Sequence, residues 1–393
     1  MTILLTCIRH ASTAFHDAAT LPAMATCRRS LGLLGGMALL LAAVAGCAVG
    51  EVQQADVPFV GSARVERGLA LDESAMVADR QPAADRTTIF TPAPHQIVMP
   101  DGTPLPLRRW GPAPENGESP RAVVLGVHGL NDHAGSFMAT ASALAAHDVA
   151  VYAWDQRGFG GSHQRGEWPG TNALVADARF ASRVLRRRYP ETPLYLMGIS
   201  MGAAVVLLAA DEPRPPPVDG TLLVGPAVWG AAVMPWYQRW ALWIGERLAP
   251  DLAFNAQAIG IRPTDREVVL DRLANDPLWI RNTRVEVMGG VADLMDRALQ
   301  TLPRFSGPTS LIQYGGKDEI IPPEAACAMF QRLPKGAPWR AAVYPAGFHM
   351  LTRSGVANAV LGDIAAFIKD PDATLPSGQA VDRRAALQAV CGD

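Results

Sequence analysis

The sequence predicts an α/β protein: a mostly parallel central sheet flanked by helices, interrupted by a helical insertion. Three observations predict it. Between residues 122 and 228 short apolar runs alternate with helix-period segments, the signature of strand-helix-strand units. The rhythm breaks at Trp229 and returns at residue 308, so the stretch between reads as an insertion. A serine fenced by glycines, in "GISMG" at 198–202, falls at a predicted strand-to-helix junction.

Taken in order, "HQIVMPDGTPLPLRRW" (95–110) holds two apolar runs around a Pro-Asp-Gly-Thr turn and reads as a hairpin. "AVVLGVHG" (122–129) is β-branched without polar alternation, as expected of a strand covered on both faces. Helix and strand patterns then follow in turn: 136–147 helical, 149–155 strand, 172–189 helical, 193–200 strand, 201–210 helical and 220–228 strand. Residues 229–305 hold five tryptophans, at 229, 236, 240, 243 and 279, and no convincing strand. Within them "WYQRWALWIGERL" reads as an amphipathic helix. The alternation resumes with a strand in 308–321, the helix "PEAACAMFQRL", a strand over 339–345 and a helix over 355–370. The last residues form a tail with room for a short helix.

Composition narrows the function classes. Hydrophobic residues make up 49% of the 393 and charged residues 18%, which fits a globular chain with a substantial core. A formal net charge of −2 leaves no footprint for nucleic acid, and "RRR" at 186–188 reads as the solvated end of a helix.

From Met24 the chain runs two arginines, an apolar stretch and small residues, in the order of a secretory signal. It closes on "VAGC" at 44–47, which resembles the lipobox of bacterial lipoproteins. The residues before Met24 lack signal character, which points to Met24 as the expected start; the resemblance implies Cys47 as the lipid-attachment residue and a bacterial cell-envelope location, anchored to a membrane and facing the periplasm or exterior. The competing reading is an uncleaved membrane-spanning helix, for which the run is short and broken by Gly32, Gly35 and Gly36. Beyond Cys47 only Cys327 and Cys391 remain; the sequence leaves open whether they pair. The expected organisation is a signal over 1–46, a tether over 47–92, a core in two parts (93–228 and 306–370), the insertion over 229–305 and a tail over 371–393.

The chemistry concentrates at four places. In G-x-S-x-G a tight strand-to-helix turn lifts Ser200 out of the sheet, and the glycines let strand and helix approach. A hydroxyl is a poor nucleophile at neutral pH and needs a base in contact, oriented by a third group. His349, in "YPAGFHMLTRS" after the predicted last strand, is placed to be that base. Asp318, in "YGGKDEII", is the first acidic residue past the strand that follows the insertion, with Glu319 beside it as the alternative carboxylate. The loop "HGLNDHAG" (128–135) leaves the first central strand at the same edge. A sharp turn there presents the backbone N–H of Leu130 beside that of Met201, two donors for a developing oxyanion. His128, Asp132 and His133 are also candidate metal ligands by type, but three loop residues with no further cluster make a poor site, and no metal or cofactor is expected.

Together these stretches resemble the α/β-hydrolase fold, and within it the monoacylglycerol lipase and lysophospholipase group. The likeness rests on "HGLNDHAGSF" (128–137), "DQRGFGGSHQRGEWPG" (155–170) and "GISMGAAV" (198–205), and extends from about 93 to 370. It implies Ser200 as nucleophile, Asp318 as acid, His349 as base and the Leu130 and Met201 amides as oxyanion donors, agreeing with the residue-level reading. Where the family often has two glycines after the serine, this chain has Gly202-Ala203. By the same resemblance the insertion is a cap over the site and the substrate a lipid ester met at a membrane. Two alternatives stand beside it: a triad acting on small esters, thioesters or peptide N-termini, and a lipoprotein that uses the fold for binding alone.

Overall fold

The computed structural model describes residues 95–113, 117–230, 233–255 and 261–392. The expected signal, Met24, Cys47 and the tether lie outside the described residues.

The chain opens with the hairpin β1 (His95–Val98) and β2 (Pro104–Trp110), closed by Gly102 at φ 85. Then come β3 (Ala122–Val127), α1 (Met138–Ala145), β4 (Val149–Trp154), α2 (Thr171–Arg188), β5 (Leu194–Ile199), α3 (Met201–Ala210) and β6 (Gly220–Val224). The insertion contributes α4 (Trp236–Leu248), β7 (Ala253–Asn255), α5 (Glu267–Asn275), β8 (Asn282–Arg284) and α6 (Val285–Thr301). The core resumes with β9 (Thr309–Gly315), α7 (Pro323–Arg332), β10 (Trp339–Tyr344), α8 (Ala357–Lys369), β11 (Ala380–Val381) and α9 (Arg383–Cys391).

The strands lie in the order β1-β2-β4-β3-β5-β6-β9-β10-β11. From β4 to β10 every pairing is parallel, while β1, β2 and β11 join antiparallel at the two edges. Strands β3, β4, β5 and β6 are buried along their whole length, which is why they lack polar alternation. One face is covered by α2, α3, α6 and α7, the other by α1 and α8. All parallel strands therefore present their C-terminal ends, and the loops that follow them, at one rim.

The insertion is not all-helical. Three-residue strands β7 and β8 pair antiparallel, with Phe254 opposite Thr283; runs so short carry no readable period. Helix α6 is part of the core packing. Val287, Val291, Leu294, Ala298 and Leu299 give it a buried stripe that joins the main core beside α3.

Three of the five tryptophans of the insertion face outward. On α4, Trp236, Trp240 and Trp243 are 70%, 57% and 47% exposed, with Ile244 and Leu248 on the same stripe. No helix among the described residues is long and apolar enough to cross a membrane. In the tail, the short helix is α9, held to α7 by a disulfide between Cys327 and Cys391.

Candidate active site

Strand β5 ends at Ile199 and α3 starts at Met201, so the whole reversal falls on Ser200. Its φ of 54 and ψ of −117 are strained for an L-residue. The surroundings over-determine it: Ser200 N donates to Val224 O at 2.9 Å, and Ser200 O accepts from Ala203 N at 2.9 Å and Ala227 N at 3.2 Å. Two glycines are required by close approach. A Cβ on Gly198 would lie 2.4 Å from Ala203 Cα, and one on Gly202 would lie 2.0 Å from Val127 O.

His349 arrives from the loop after β10. Its Nε2 is 2.8 Å from Ser200 Oγ and its Nδ1 2.7 Å from Asp318 Oδ2. Asp318 follows β9, and its other oxygen accepts the N–H groups of Ile320 and Ile321 at 2.9 and 2.8 Å. Both residues are buried. A carboxylate that accepts two backbone donors and faces Nδ1 holds the imidazole with its proton on Nδ1, leaving Nε2 to accept from the serine. Glu319, the alternative carboxylate, points away and accepts from Arg262 N in the insertion at 3.0 Å.

The loop after β3 passes close to the serine: a Cβ on Gly129 would be 3.4 Å from Ser200 Cβ. Leu130 is the next residue of that loop, and Met201 the residue after Ser200. Met201 is the first residue of α3, where an N–H has no intrahelical acceptor, and among the described residues neither the Leu130 nor the Met201 N–H donates to a turn or loop carbonyl. The α3 N-terminus adds a favourable dipole for negative charge.

The three residues considered as metal ligands are engaged elsewhere. His128 donates from Nδ1 to Gly129 O at 2.8 Å and accepts from Gln156 N on Nε2 at 2.9 Å, and full burial pushes its pKa below that of a free imidazole. Asp132 forms an ion pair with Arg353, four residues beyond His349. His133 accepts from Gly135 N on Nδ1 at 3.1 Å, so Nε2 carries the proton it donates to Asp276 at 2.9 Å.

The "DQRGFGGS" stretch supports the site from below. Asp155 accepts from Ala134 N at 2.7 Å and from Gly161 N at 2.8 Å, fixing the 128–135 loop to its own. Arg157 bridges Asp177 and Asp101 through paired bonds of 2.6 to 3.0 Å. Sequence reasoning missed Arg353, Asp276, Asn131 and Thr283, which meet only through the tertiary fold.

Residues 118–354 match the family model described as Serine aminopeptidase, S33 (Hydrolase_4). The chain is 28% identical over 282 residues to a monoglyceride lipase of Rattus norvegicus, covering 69% of this chain and 88% of the relative. It is 28% identical over 254 residues to a monoacylglycerol lipase of Mycolicibacterium smegmatis, covering 63% and 88%. Among solved structures it resembles a soluble variant of the Saccharomyces cerevisiae monoglyceride lipase, with a TM-score of 0.59 at 19% identity over 74% of this chain and 100% of that one. A monoacylglycerol lipase of Paleococcus ferrophilus gives 0.56 at 22% identity, over 67% and 98%. These likenesses agree with the sheet order and the serine turn: the chain belongs to the serine aminopeptidase S33 (Hydrolase_4) family and has the α/β-hydrolase fold.

Proposed function

We propose that the protein is a serine hydrolase cleaving carboxylic esters of lipids, monoacylglycerols or lysophospholipids, through an acyl-enzyme intermediate. The observation that carries the reading is the continuous relay from Asp318 through His349 to Ser200, at 2.7 and 2.8 Å. Ser200 Oγ attacks the ester carbonyl carbon while His349 Nε2 takes its proton. The oxyanion is held by the N–H groups of Leu130 and Met201, a contribution of about 3 kcal/mol per donor in comparable sites. Collapse returns the proton from Nε2 to the departing alcohol and leaves the acyl group on Ser200. Water then repeats the sequence and frees the acid. No cofactor or metal takes part.

The lipid class is supported by the relatives, which are named for monoacylglycerol hydrolysis, and by the cap surface. The outward stripe of α4 combines Trp236, Trp240, Trp243, Ile244 and Leu248 with the exposed arginines 239 and 247. Indole rings favour the water-lipid boundary and guanidinium groups the phosphates beneath it. Acylation of Cys47 would hold this face at the envelope membrane, and the Cys327–Cys391 disulfide supports an oxidising compartment.

The test compares wild type and Ser200→Ala on long-chain monoacylglycerols, lysophospholipids, short-chain esters, thioesters and aminoacyl anilides. The expected result is preference for the first two, with turnover reduced about ten-thousand-fold or more in the variant. Undiminished hydrolysis by Ser200→Ala overturns the serine mechanism. Preference for short esters, thioesters or anilides moves the substrate to the second reading, and failure of wild type to react with a fluorophosphonate moves it to a binding role.

A further inference from the structure

The loop offering Leu130 is gripped from two directions. From the sheet side Arg353 pairs with Asp132, and Asp155 accepts from Ala134 N. From the cap side the grip falls on Asn131, the residue immediately after Leu130. Its carbonyl accepts from Ile280 N at 3.0 Å. Its side-chain amide donates to Thr283 Oγ at 2.6 Å, both residues being buried. Two residues further on, His133 donates to Asp276 at 2.9 Å. The cap segment 276–283 thus bonds the loop three times within three residues of it.

Asn131 sits at φ 62, in the left-handed region that an L-residue leaves readily for the right-handed or extended wells. Asp132 N closes a turn onto Gly129 O at 3.3 Å, with Leu130 and Asn131 in its two central positions. A positive φ at the second of these is what a type II turn demands. If Asn131 relaxes, the peptide groups of the turn re-aim together. The geometry of the Leu130 amide is therefore tied to bonds that the sheet does not supply.

We propose that Thr283, in the short cap strand β8, is a positioning residue for the oxyanion hole. By bonding the Asn131 side chain it keeps the 129–132 turn in the form that directs the Leu130 N–H at the reacting carbonyl oxygen. Thr283 touches no reacting atom; it acts through Asn131. The inference rests on the serine-hydrolase reading and adds that the cap contributes to catalysis as well as covering the site. A backbone donor held off its target forfeits part of a stabilisation worth a hundredfold or more in rate, and small misplacements near the chemistry have effects of that order.

The experiment uses the full chain carrying Thr283→Val, Thr283→Ser or Asn131→Gly. It reads kcat and KM on a soluble ester, melting temperature, and affinity for a trifluoromethyl ketone, whose adduct with Ser200 places an oxyanion in the hole. The matching secondary alcohol, which forms no adduct, is the control ligand. Thr283→Val is expected to lower kcat and ketone affinity about tenfold each, leaving KM and alcohol affinity within about twofold. Thr283→Ser restores both, because it keeps the acceptor. Asn131→Gly permits the left-handed backbone but loses the side-chain bond that holds it there, so the turn is free to leave that form and the split is reproduced even if Thr283→Val does not fold. Unchanged kcat and ketone affinity in the folded variants overturns the proposal, as does a rise in KM alone. Wild-type protein that neither turns over esters nor binds the ketone removes the hydrolase reading and this inference with it.

Discussion

His349 Nδ1 meets Asp318 Oδ2 at 2.7 Å, in a buried contact whose second carboxylate oxygen is already occupied by two backbone N–H groups. The carboxylate has no freedom to turn, so it fixes which imidazole nitrogen carries the proton. Replacing Asp318 by Asn keeps the shape but offers a donor where an acceptor is needed, favouring the tautomer that cannot take the serine proton. Asp318→Asn is expected to lower kcat about ten-thousand-fold with little change in KM, measured by steady-state hydrolysis of a soluble ester. A loss below tenfold would contradict this assignment.

The serine turn predicts an intolerant glycine. An added methyl at Gly202 would meet the Val127 carbonyl at 2.0 Å, and neither strand β3 nor helix α3 has space to retreat. Gly202→Ala is expected to destabilise the fold by about 3 kcal/mol or more, seen as a lowered urea midpoint or loss of soluble protein.

The bridge between Cys327 and Cys391 closes a separation of 64 residues. A loop of that size is stabilised by about 4 kcal/mol in the chain-entropy treatment, and less where the bridge strains the fold. Reduction, or Cys391→Ser, should lower the melting temperature, with α9 the first element to lose amide protection in hydrogen exchange. An unchanged melting temperature under reducing conditions would show that α9 is held by packing alone.

The tryptophan stripe of α4 predicts surface behaviour. Changing Trp236, Trp240 and Trp243 together to Ser should leave the melting temperature within about a degree or two, because these side chains are exposed and the contacts among them, Trp240 with Trp243 and Arg247 over Trp243, lie on the helix surface. Co-sedimentation with anionic phospholipid vesicles should fall at least about tenfold. Equal sedimentation of both proteins would remove α4 as the lipid-facing element.

Acid should loosen the tie between the insertion and the 128–135 loop. The hydrogen bond from His133 holds the Asp276 carboxyl at about 2, below its ordinary 3.8. A depressed carboxyl pKa stabilises the folded state above the ordinary value, and that contribution is lost as pH falls from there through the folded value. Wild type should therefore lose stability between about pH 4 and about pH 2 more steeply than Asp276→Asn. Acid titration followed by tryptophan fluorescence compares the two slopes; parallel curves would contradict the expectation.

The fold was legible because its signals are local. Strands such as Ala122–Val127 and Leu194–Ile199 announce burial by apolar runs, and the serine turn announces itself through Gly198 and Gly202. Asp318 and His349 could be chosen because parallel strands deliver their following loops to a common rim. What escaped the sequence was of another kind. The apolar stripe of α4 shows a helix with two faces but not which face meets water. Asn131 and Thr283 are 152 residues apart, and nothing in either local sequence names the other. Strands β7 and β8 are too short to show a period, and the two cysteines become a pair only once α7 and α9 lie side by side.

The polypeptide leaves the sheet after β6 and re-enters as β9, its immediate neighbour. To the sheet, everything between is a single excursion linking adjacent strands, and lengthening such an excursion adds little closure entropy. Residues 225–308 therefore form an exchangeable cassette as far as topology is concerned. Two boundary conditions limit the exchange: a transplanted segment must end in a helix able to complete the layer beside α3, and it must bring a hydroxyl to Asn131.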